Sequence, residues 1–405
     1  MQSHKVKLIM ILAFALFVFF FSNDFGLIDV EKTSIITAVA IDYENDEYIV
    51  TAQIAVPEAT DTNTENQKAQ LSGKGSTVGE ALKDLGDVSG WFPKLSFCNL
   101  IILGNSLTND NVIKAVDYFT KTLRIQDSAL IALAENTAKD LLNLATPLDN
   151  ISAFALQKII LKNTGFDKDV ASSDVKTFCA DYYSIAGSSF MPLIKVIPAG
   201  ESQNDQNAGG GTQNSGGMNS GNSASDQKGD KDNLFDAKTT ALFLDGKKVG
   251  ELSPDLTLTF NTLKGSIKGT VIPVKDIPDK NGKTSNYLLS VIDNHSKIEV
   301  NADINSLKLV ISVDLYCKIS DHSSADSEYS LSVNTPIPQI VIEKAQSEIE
   351  QNIHELIRTI KQTGCDFLKL KQNLYRYNHN YYASYKDNYL ERLNPTVKVT
   401  VCGQN

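Results

Sequence analysis

Residues 35–56 read IITAVAIDYENDEYIVTAQIAV, and this stretch decides which kind of fold the chain adopts. The apolar run Ile35–Asp42 contains many β-branched residues, which predicts a buried strand. The pair Asn45–Asp46 predicts a tight turn, and Glu47–Val56 then returns as the second strand of a hairpin. The chain is therefore expected to build a β-sheet from its N-terminal part onward.

Apolar strands alternate with amphipathic helices from this hairpin to residue 161. Thr77 and Glu80 form a capping-box pattern at the start of a helix. Leu100–Leu103 and Ala129–Ala134 are short apolar runs typical of buried strands. Further helices are predicted to start at Asn109 or Asp110, to start at Thr137, and to cover Ile151–Leu161. This order of elements predicts a sheet with helices packed on it.

The second half of the chain contains further strands and the longest predicted helix. A hairpin is predicted over Lys238–Glu251, with its turn at Asp245–Gly246. The other predicted strands are Tyr287–Asp293, Lys297–Ala302, Leu307–Ile319 and Thr396–Val401, with a turn at Asn294–His295. Pro338 and Gly364 bound a helix over Gln339–Thr363, whose apolar residues recur every three or four positions. A shorter helix is predicted over Asp366–Tyr375.

A segment dominated by Gly, Ser, Asn, Gln and Asp separates the two halves. It has almost nothing to bury, so residues 199–236 are expected to form a flexible linker. It could space two lobes, or it could be a tolerated loop insertion, because lengthening a loop costs little free energy. The predicted divisions are an anchor (1–25), an N-terminal α/β domain (26–198), the linker, and a C-terminal α/β domain (237–405). The last domain has an optional split into lobes 237–285 and 286–405. The expected fold class is α+β, a multi-lobed mixed α/β ectodomain behind an N-terminal membrane anchor.

The N-terminus carries an unbroken apolar run, Leu8–Phe21, after Lys5 and Lys7. Basic residues before an apolar run keep the N-terminus in the cytoplasm and send the rest of the chain across the membrane. Bulky phenylalanines stand where signal peptidase needs small residues, which favours an uncleaved signal anchor over a cleaved signal peptide. Residues representative of this anchor are Leu8, Phe14, Phe17 and Phe21.

Composition and motifs disfavour several classes of function. The formal net charge of -10 disfavours nucleic-acid binding, and no two of the five cysteines form a C-x-x-C pair. Residues 354–358 begin like the zinc motif HExxH, but Arg358 stands where the second ligand is needed. Gly73, Gly75 and Gly79 fit no phosphate-binding pattern and are expected to be turn glycines. No catalytic, metal or cofactor-binding residues are therefore predicted, and a hydrolase site assembled from distant residues remains a third alternative.

Six tyrosines fall within residues 375–389. Tyrosine is favoured at protein interfaces, because its large ring is apolar and its hydroxyl is polar. Tyr377, Tyr381, Tyr382 and Tyr385 are therefore candidates for an interaction surface. The alternative interpretation is a loop packed against the C-terminal sheet.

The order of these features resembles that of the Ger(x)C family, the C subunits of spore germinant receptors. Matching stretches are Ile35–Asp42, Tyr48–Ile54, Gly73–Leu82, Leu100–Leu107, Val116–Phe119 with Arg124, Ala241–Phe243, Val249–Leu252, Asp366–Phe367 and Val397–Val401. Asn105 replaces the acidic residue that usually follows the glycine after the third strand. No single motif is specific, but the collinear order extends from about Leu27 to about Gly403.

The resemblance implies several mixed α/β lobes outside the inner membrane of the spore. It also implies an A subunit and a transporter-like B subunit as partners, which together sense nutrients and release ions. Family members usually carry a lipid on an N-terminal Cys, whereas the first Cys of this chain is Cys98. The predicted function is a non-catalytic C subunit without a cofactor, whose contact with the nutrient stays open. The alternative is a free-standing extracytoplasmic protein that captures a solute between its lobes.

Overall fold

The computed structural model describes residues 33–54, 69–109, 112–122, 125–144, 146, 151–161, 168–198, 233–265, 267–278, 284–323 and 336–403, and also residues 7, 10–14 and 17. Within these residues the chain forms two β-sheets with helices packed on them. This arrangement confirms the predicted α+β class.

The first sheet is built around parallel strands. Its strands are β1 (Thr33–Glu44), β2 (Glu47–Ile54), β3 (Ala69–Gly75), β4 (Phe92–Lys94), β5 (Leu100–Leu103), β6 (Leu130–Ala134), β7 (Ser173–Asp174), β8 (Ser188–Pro198), β9 (Asn233–Leu244) and β10 (Lys247–Leu252). Their order is β10-β9-β8-β6-β5-β1-β2-β3, with β4 paired to β1 and β7 paired to β6. The four central strands, β8, β6, β5 and β1, run parallel, and an antiparallel hairpin closes each edge.

Helices cover both faces of this sheet, which explains why its central strands are apolar throughout. The helices are α1 (Val78–Ser89), α2 (Val112–Thr122), α3 (Ala138–Asn143), α4 (Ser152–Leu161) and α5 (Val175–Tyr182). Val39 and Ile41 of β1 share a core with α1, α2 and α5. Ala38 and Ala40, which alternate with them, share a core with α3 and α4. The helices predicted from the sequence in this half are confirmed.

The two predicted hairpin turns are confirmed by backbone geometry. Asn45 and Asp46 have positive φ angles of 51° and 64°, and Asp245 and Gly246 have φ angles of 49° and 77°. Paired positive φ angles match the right-handed twist of the flanking strands. These dipeptides therefore fix the registers of β1 with β2 and of β9 with β10.

The three glycines expected to form turns have a different role. Gly73 and Gly75 lie within β3, and Gly79 lies in the first turn of α1. A Cβ atom on Gly73 would stand 2.5 Å from the backbone nitrogen of Leu85, and one on Gly79 would stand 2.7 Å from Cε2 of Tyr118. The prediction of turn glycines is wrong, because Gly73 and Gly75 let the backbones of β3 and α1 approach closely and Gly79 leaves room for the Tyr118 ring of α2.

The second sheet has the order β11-β12-β13-β14. Its strands are β11 (Val271–Pro278), β12 (Thr284–Ala302), β13 (Leu307–His322) and β14 (Leu393–Gly403). The helices of this half are α6 (Pro254–Leu263), α7 (Gln339–Thr363), α8 (Leu370–Tyr377), α9 (His379–Tyr385) and α10 (Tyr389–Arg392). The predicted turn at Asn294–His295 is wrong, because β12 runs through it, and its pairing with β13 is irregular only before it, between Leu288 and Leu289 and between Val291 and Asp293.

The longest helix, α7, is confirmed with the bounds predicted for it. Gly364 ends it with a φ of 72°, and its N–H donates to the carbonyl of Ile360. Its buried residues are Val341, Ala345, Ile349, Ile353, Leu356, Ile357 and Ile360. This apolar stripe packs against β14 and α6, and it forms the centre of the C-terminal core.

The first sheet includes strands from both sides of residues 199–232, which lie outside the described residues. Residues 233–236, predicted as the end of the linker, already belong to β9, which pairs with β8. The option of a division at 285/286 falls inside β12. The two sheets therefore do not follow the predicted boundaries at 236/237 and 285/286. The separation of the chain into folding domains stays a prediction.

The predicted anchor lies mostly outside the described residues. Leu8 and Phe21 are not described, whereas Phe14 and Phe17 are helical and exposed. None of the helices in the described part of the chain combines the length and apolar composition needed to cross a bilayer.

Candidate functional sites

The loop that follows α7 joins the two sheets. The thiol of Cys365 donates a hydrogen bond to the carbonyl of Phe243 in β9, at 3.3 Å. The backbone N–H of Asp366 donates to the hydroxyl of Ser188 in β8, at 2.8 Å. We call Ser188, Cys365, Asp366 and Tyr389 the sheet junction, because they connect the end of α7 to the first sheet.

Asp366 holds an almost fully buried carboxylate at this junction, with 1% of its surface exposed. It accepts hydrogen bonds from the N–H groups of Leu370 (2.8 Å) and Lys371 (2.7 Å), and from the hydroxyl of Tyr389 (3.1 Å). These bonds cap the first turn of α8. Burial nevertheless raises the pKa of this carboxyl to about 6, because loss of hydration outweighs the hydrogen bonds.

Aromatic rings and basic side chains complete the contact around the junction. Phe260 of α6 meets Phe190 of β8 and Phe367 edge-to-face, with ring centroids 4.9 and 5.3 Å apart. The ammonium of Lys264 lies 4.9 Å from the centroid of the Phe190 ring, and burial lowers its pKa. Lys369 forms a 2.7 Å ion pair with Asp181 of α5. The two sheets are thus held by apolar, hydrogen-bonded and ionic contacts.

The tyrosines predicted as an interaction surface divide into exposed and buried residues. Tyr377 is 76% exposed, Tyr375 is also exposed, and Tyr381 and Tyr382 are half-buried. Tyr385 is a core residue, and its hydroxyl donates to the carbonyl of Asp303 at 2.7 Å. We call Tyr375, Tyr377, Tyr381 and Tyr382 the tyrosine surface. It lies on helices α8 and α9 rather than on a loop.

Side-chain amides from α8 and the residue after it hold these helices on the edge of β12. The pairing of β11 with β12 reaches only Ser290, and within the described part of the chain no strand pairs with the rest of this edge. Asn373 donates to the carbonyl of Ile298 at 3.1 Å. The Asn378 amide donates to the carbonyl of Val300 and accepts from the N–H of Ala302. The amides thereby satisfy exposed strand groups and position the tyrosine surface.

Asp42 is buried near the end of β1, close to the turn at Asn45–Asp46. Its carboxylate accepts hydrogen bonds from the N–H groups of Ala138 (2.8 Å) and Lys139 (3.0 Å), and burial raises its pKa. Thr137, the predicted cap of α3, instead bonds to Asp140. Asp42 therefore caps a helix that is distant in sequence.

The His, Cys, Asp and Glu side chains of the described residues include the candidates for a metal site or a reactive thiol. No group of three His, Cys, Asp or Glu side chains among them is arranged to hold a metal ion. Burial raises the pKa of Cys98, Cys317 and Cys365 to about 12, so these thiols stay protonated. His354, from the incomplete HExxH pattern, is exposed on α7.

Two of the cavities lined by described residues each lie within one half of the molecule. One, of about 510 Å³, is lined by α1, by residues 90–95 and by Tyr118 of α2. The other, of about 290 Å³, lies between α6, α7 and β11. Glu348 lines the smaller cavity, and burial raises its pKa.

Comparison with protein-family models finds two matches that follow one another along the chain. The model for the spore germination protein N-terminal domain matches residues 27–196. The model for the spore germination B3/GerAC-like C-terminal region matches residues 238–402. The chain belongs to the GerAC-like family of spore germination proteins. The resemblance to germinant-receptor C subunits is thus confirmed from the first sheet to β14.

One solved structure shares similarity with this chain. The crystal structure of the GerBC protein aligns with 93% of this chain and 100% of its own, at 16% sequence identity and a TM-score of 0.47. A comparison with curated proteins finds no match. Membership of the GerAC-like family rests on the two family models.

Proposed function

We propose that this chain is the non-catalytic C subunit of a membrane-bound nutrient germinant receptor. In this role it is an extracytoplasmic scaffold that binds receptor subunits of the A and B types at the inner membrane of the spore. The observation that carries the proposal is the ordered match of both family models over residues 27–196 and 238–402. The N-terminal apolar run serves as the uncleaved anchor in place of a lipid.

The tyrosine surface is the proposed contact with a partner subunit. Tyr377 is 76% exposed, yet its helix is fixed to β12 by the amides of Asn373 and Asn378. Tyrosines on a rigid support contribute large contact areas at low entropic cost, and they are enriched among residues that dominate binding energy. Replacing Tyr377 with Ala is expected to weaken partner binding by about 2 kcal/mol.

A germination assay tests the proposal. In a strain that lacks this gene and any paralogue, nutrient-triggered germination should be lost and should return with the wild-type gene. Tyr377→Ala should not restore it, although the protein reaches the membrane at the wild-type level. Tyr183→Ala, which removes an exposed tyrosine at the end of α5, is the matched control and should restore it.

The two parts of the proposal fail separately in this assay. Intact germination in the deletion strain would refute the receptor function. Full restoration by Tyr377→Ala would refute the tyrosine surface as the contact while leaving the receptor function in place.

The alternative function is that of a free-standing solute-binding protein. The cavity of about 290 Å³ beside Glu348 is where a small solute would fit. A solute that binds only the native state raises its melting temperature. This alternative would be favoured if nutrients raised the melting temperature of the protein without its partners, and if Glu348→Leu abolished that rise.

A further inference from the structure

An exposed apolar surface lies where the described fold begins. Val88 of α1 is 75% exposed, Phe97 is 52% exposed and Trp91 is 47% exposed. Ile35 and Phe92 are also exposed. We call these five residues the aromatic surface. This surface could not be predicted from the sequence, because its members come from separate segments without a common period.

The aromatic surface is joined to the start of the fold by strand pairing. Strand β4 pairs in parallel with the first residues of β1, with Thr33 opposite Phe92 and Ile35 opposite Lys94. Residues 22–32 link Thr33 to the apolar run Leu8–Phe21, and an extended chain of that length spans at most about 40 Å. The surface therefore stays close to the membrane into which that run inserts.

The chemistry of the surface fits the boundary between lipid headgroups and acyl chains. Tryptophan and other aromatic rings are favoured at this boundary, because the ring is apolar while its environment is partly hydrated. Lys94 is exposed, and its ammonium lies 6.0 Å from the Phe97 ring, where it can meet an anionic headgroup. Asp87, the nearby carboxylate, is paired with Lys83. The charge beside the rings thus favours an anionic lipid surface.

We propose that the aromatic surface docks on the lipid bilayer as a second membrane contact beside the N-terminal anchor. This inference rests on the proposed membrane anchoring. An anchored domain has a high effective concentration at the membrane, so a small apolar surface suffices to orient it. The contact would fix which side of the first sheet faces the membrane.

Trp91 is the only tryptophan of the chain and reports on its own surroundings. The full-length protein is reconstituted into vesicles of phosphatidylcholine and phosphatidylglycerol, with or without bromine on the acyl chains. Brominated lipid should remove most of the Trp91 emission, and aqueous iodide should have little effect. Phe97→Ser should restore emission in brominated vesicles, whereas Tyr183→Ser, at an exposed tyrosine of the same half, should leave the quenching unchanged.

Three outcomes would overturn the inference, and they differ in what else they overturn. Protein that does not float with the vesicles would refute the anchor and the docked surface together. Protein that floats, but whose Trp91 is quenched by iodide and not by bromine, would refute the docked surface alone. Protection from both quenchers only when receptor subunits are added would show that a protein partner occupies the surface instead.

Discussion

Replacing Asp366 with Asn is expected to change how the stability of the protein depends on pH. Burial raises the pKa of this carboxyl from 3.8 to about 6, so between these values the folded state binds more protons than the unfolded state. The free energy of unfolding should therefore be highest below the unfolded pKa and fall as pH rises through the folded pKa. A shift of about 2 units corresponds to about 3 kcal/mol at neutral pH.

An amide at this position cannot ionise, so Asp366→Asn removes the fall in the free energy of unfolding that ionisation of this carboxyl causes as pH rises. It also replaces one acceptor oxygen with an NH₂ group, which costs about 1 kcal/mol at every pH because the N–H of Leu370 or Lys371 loses its partner. The variant should be slightly less stable than wild type near pH 4, and it should gain about 3 kcal/mol relative to wild type by pH 7.

Urea denaturation of the full-length protein in detergent, followed at several pH values, measures this difference. Asp387→Asn removes an exposed carboxylate of the same region and controls for the change in net charge. If the difference in the free energy of unfolding between wild type and Asp366→Asn stayed constant from pH 4 to pH 7, Asp366 would not be a buried carboxyl with a raised pKa.

Three further predictions follow from packing and burial. Gly73→Ala should lower the free energy of unfolding by about 2 kcal/mol or more, because the added Cβ would clash with the backbone of α1. Thermal unfolding measures this change, and an unchanged midpoint would contradict the close packing of β3 and α1. Asn378→Ala should lower the free energy of unfolding by about 1–3 kcal/mol and promote aggregation, because it uncovers the edge of β12. Light scattering on heating measures the aggregation, and Asn388→Ala, which removes an exposed asparagine, is the control. Iodoacetamide at neutral pH should label Cys98, Cys317 and Cys365 only after denaturation, because burial raises the pKa of these thiols. Peptide mass spectrometry detects the labelling, and labelling of the native protein would show that these thiols become exposed to solvent.

The elements that could be predicted from the sequence are determined by residues that are close together in the chain. The run Ile35–Asp42 is apolar on both faces because helices cover both faces of β1, and the turn dipeptides fix the adjacent registers. The helix α7 could be bounded because its stripe, Pro338 and Gly364 all lie within one continuous segment. These features depend on residues that are close in sequence.

The features that sequence reasoning missed depend on contacts between distant segments. Asn294 resembles a turn residue, but its buried amide donates to the carbonyl of Thr262 at the end of α6, which keeps β12 continuous. Asp42 finds its partners in α3, and Asp366 finds one of its partners, Ser188, in β8. A carboxylate between Cys365 and Phe367, two residues after the glycine that ends α7, was the available signal for the junction.

Of the candidate sites, only the tyrosine surface was visible in the sequence. The clustering of tyrosines indicated it, but the spacing alone could not show that Tyr385 turns inward to bond Asp303. The aromatic surface was invisible for a similar reason, because the pairing of β4 with β1 brings Ile35 beside residues 88–97. Surfaces formed from separate segments require the fold before they can be recognised.

Co-purification from spore membranes tests whether this chain is a subunit of a germinant receptor. A tagged copy of the full chain is extracted from detergent-solubilised membranes, and mass spectrometry identifies everything recovered with it. The proposed receptor function predicts recovery of an A-type subunit and a transporter-like B-type subunit, together with a chain that still carries Met1–Phe21. Recovery of this protein alone, with an N-terminus that starts after Ser22, would contradict both the receptor function and the uncleaved anchor.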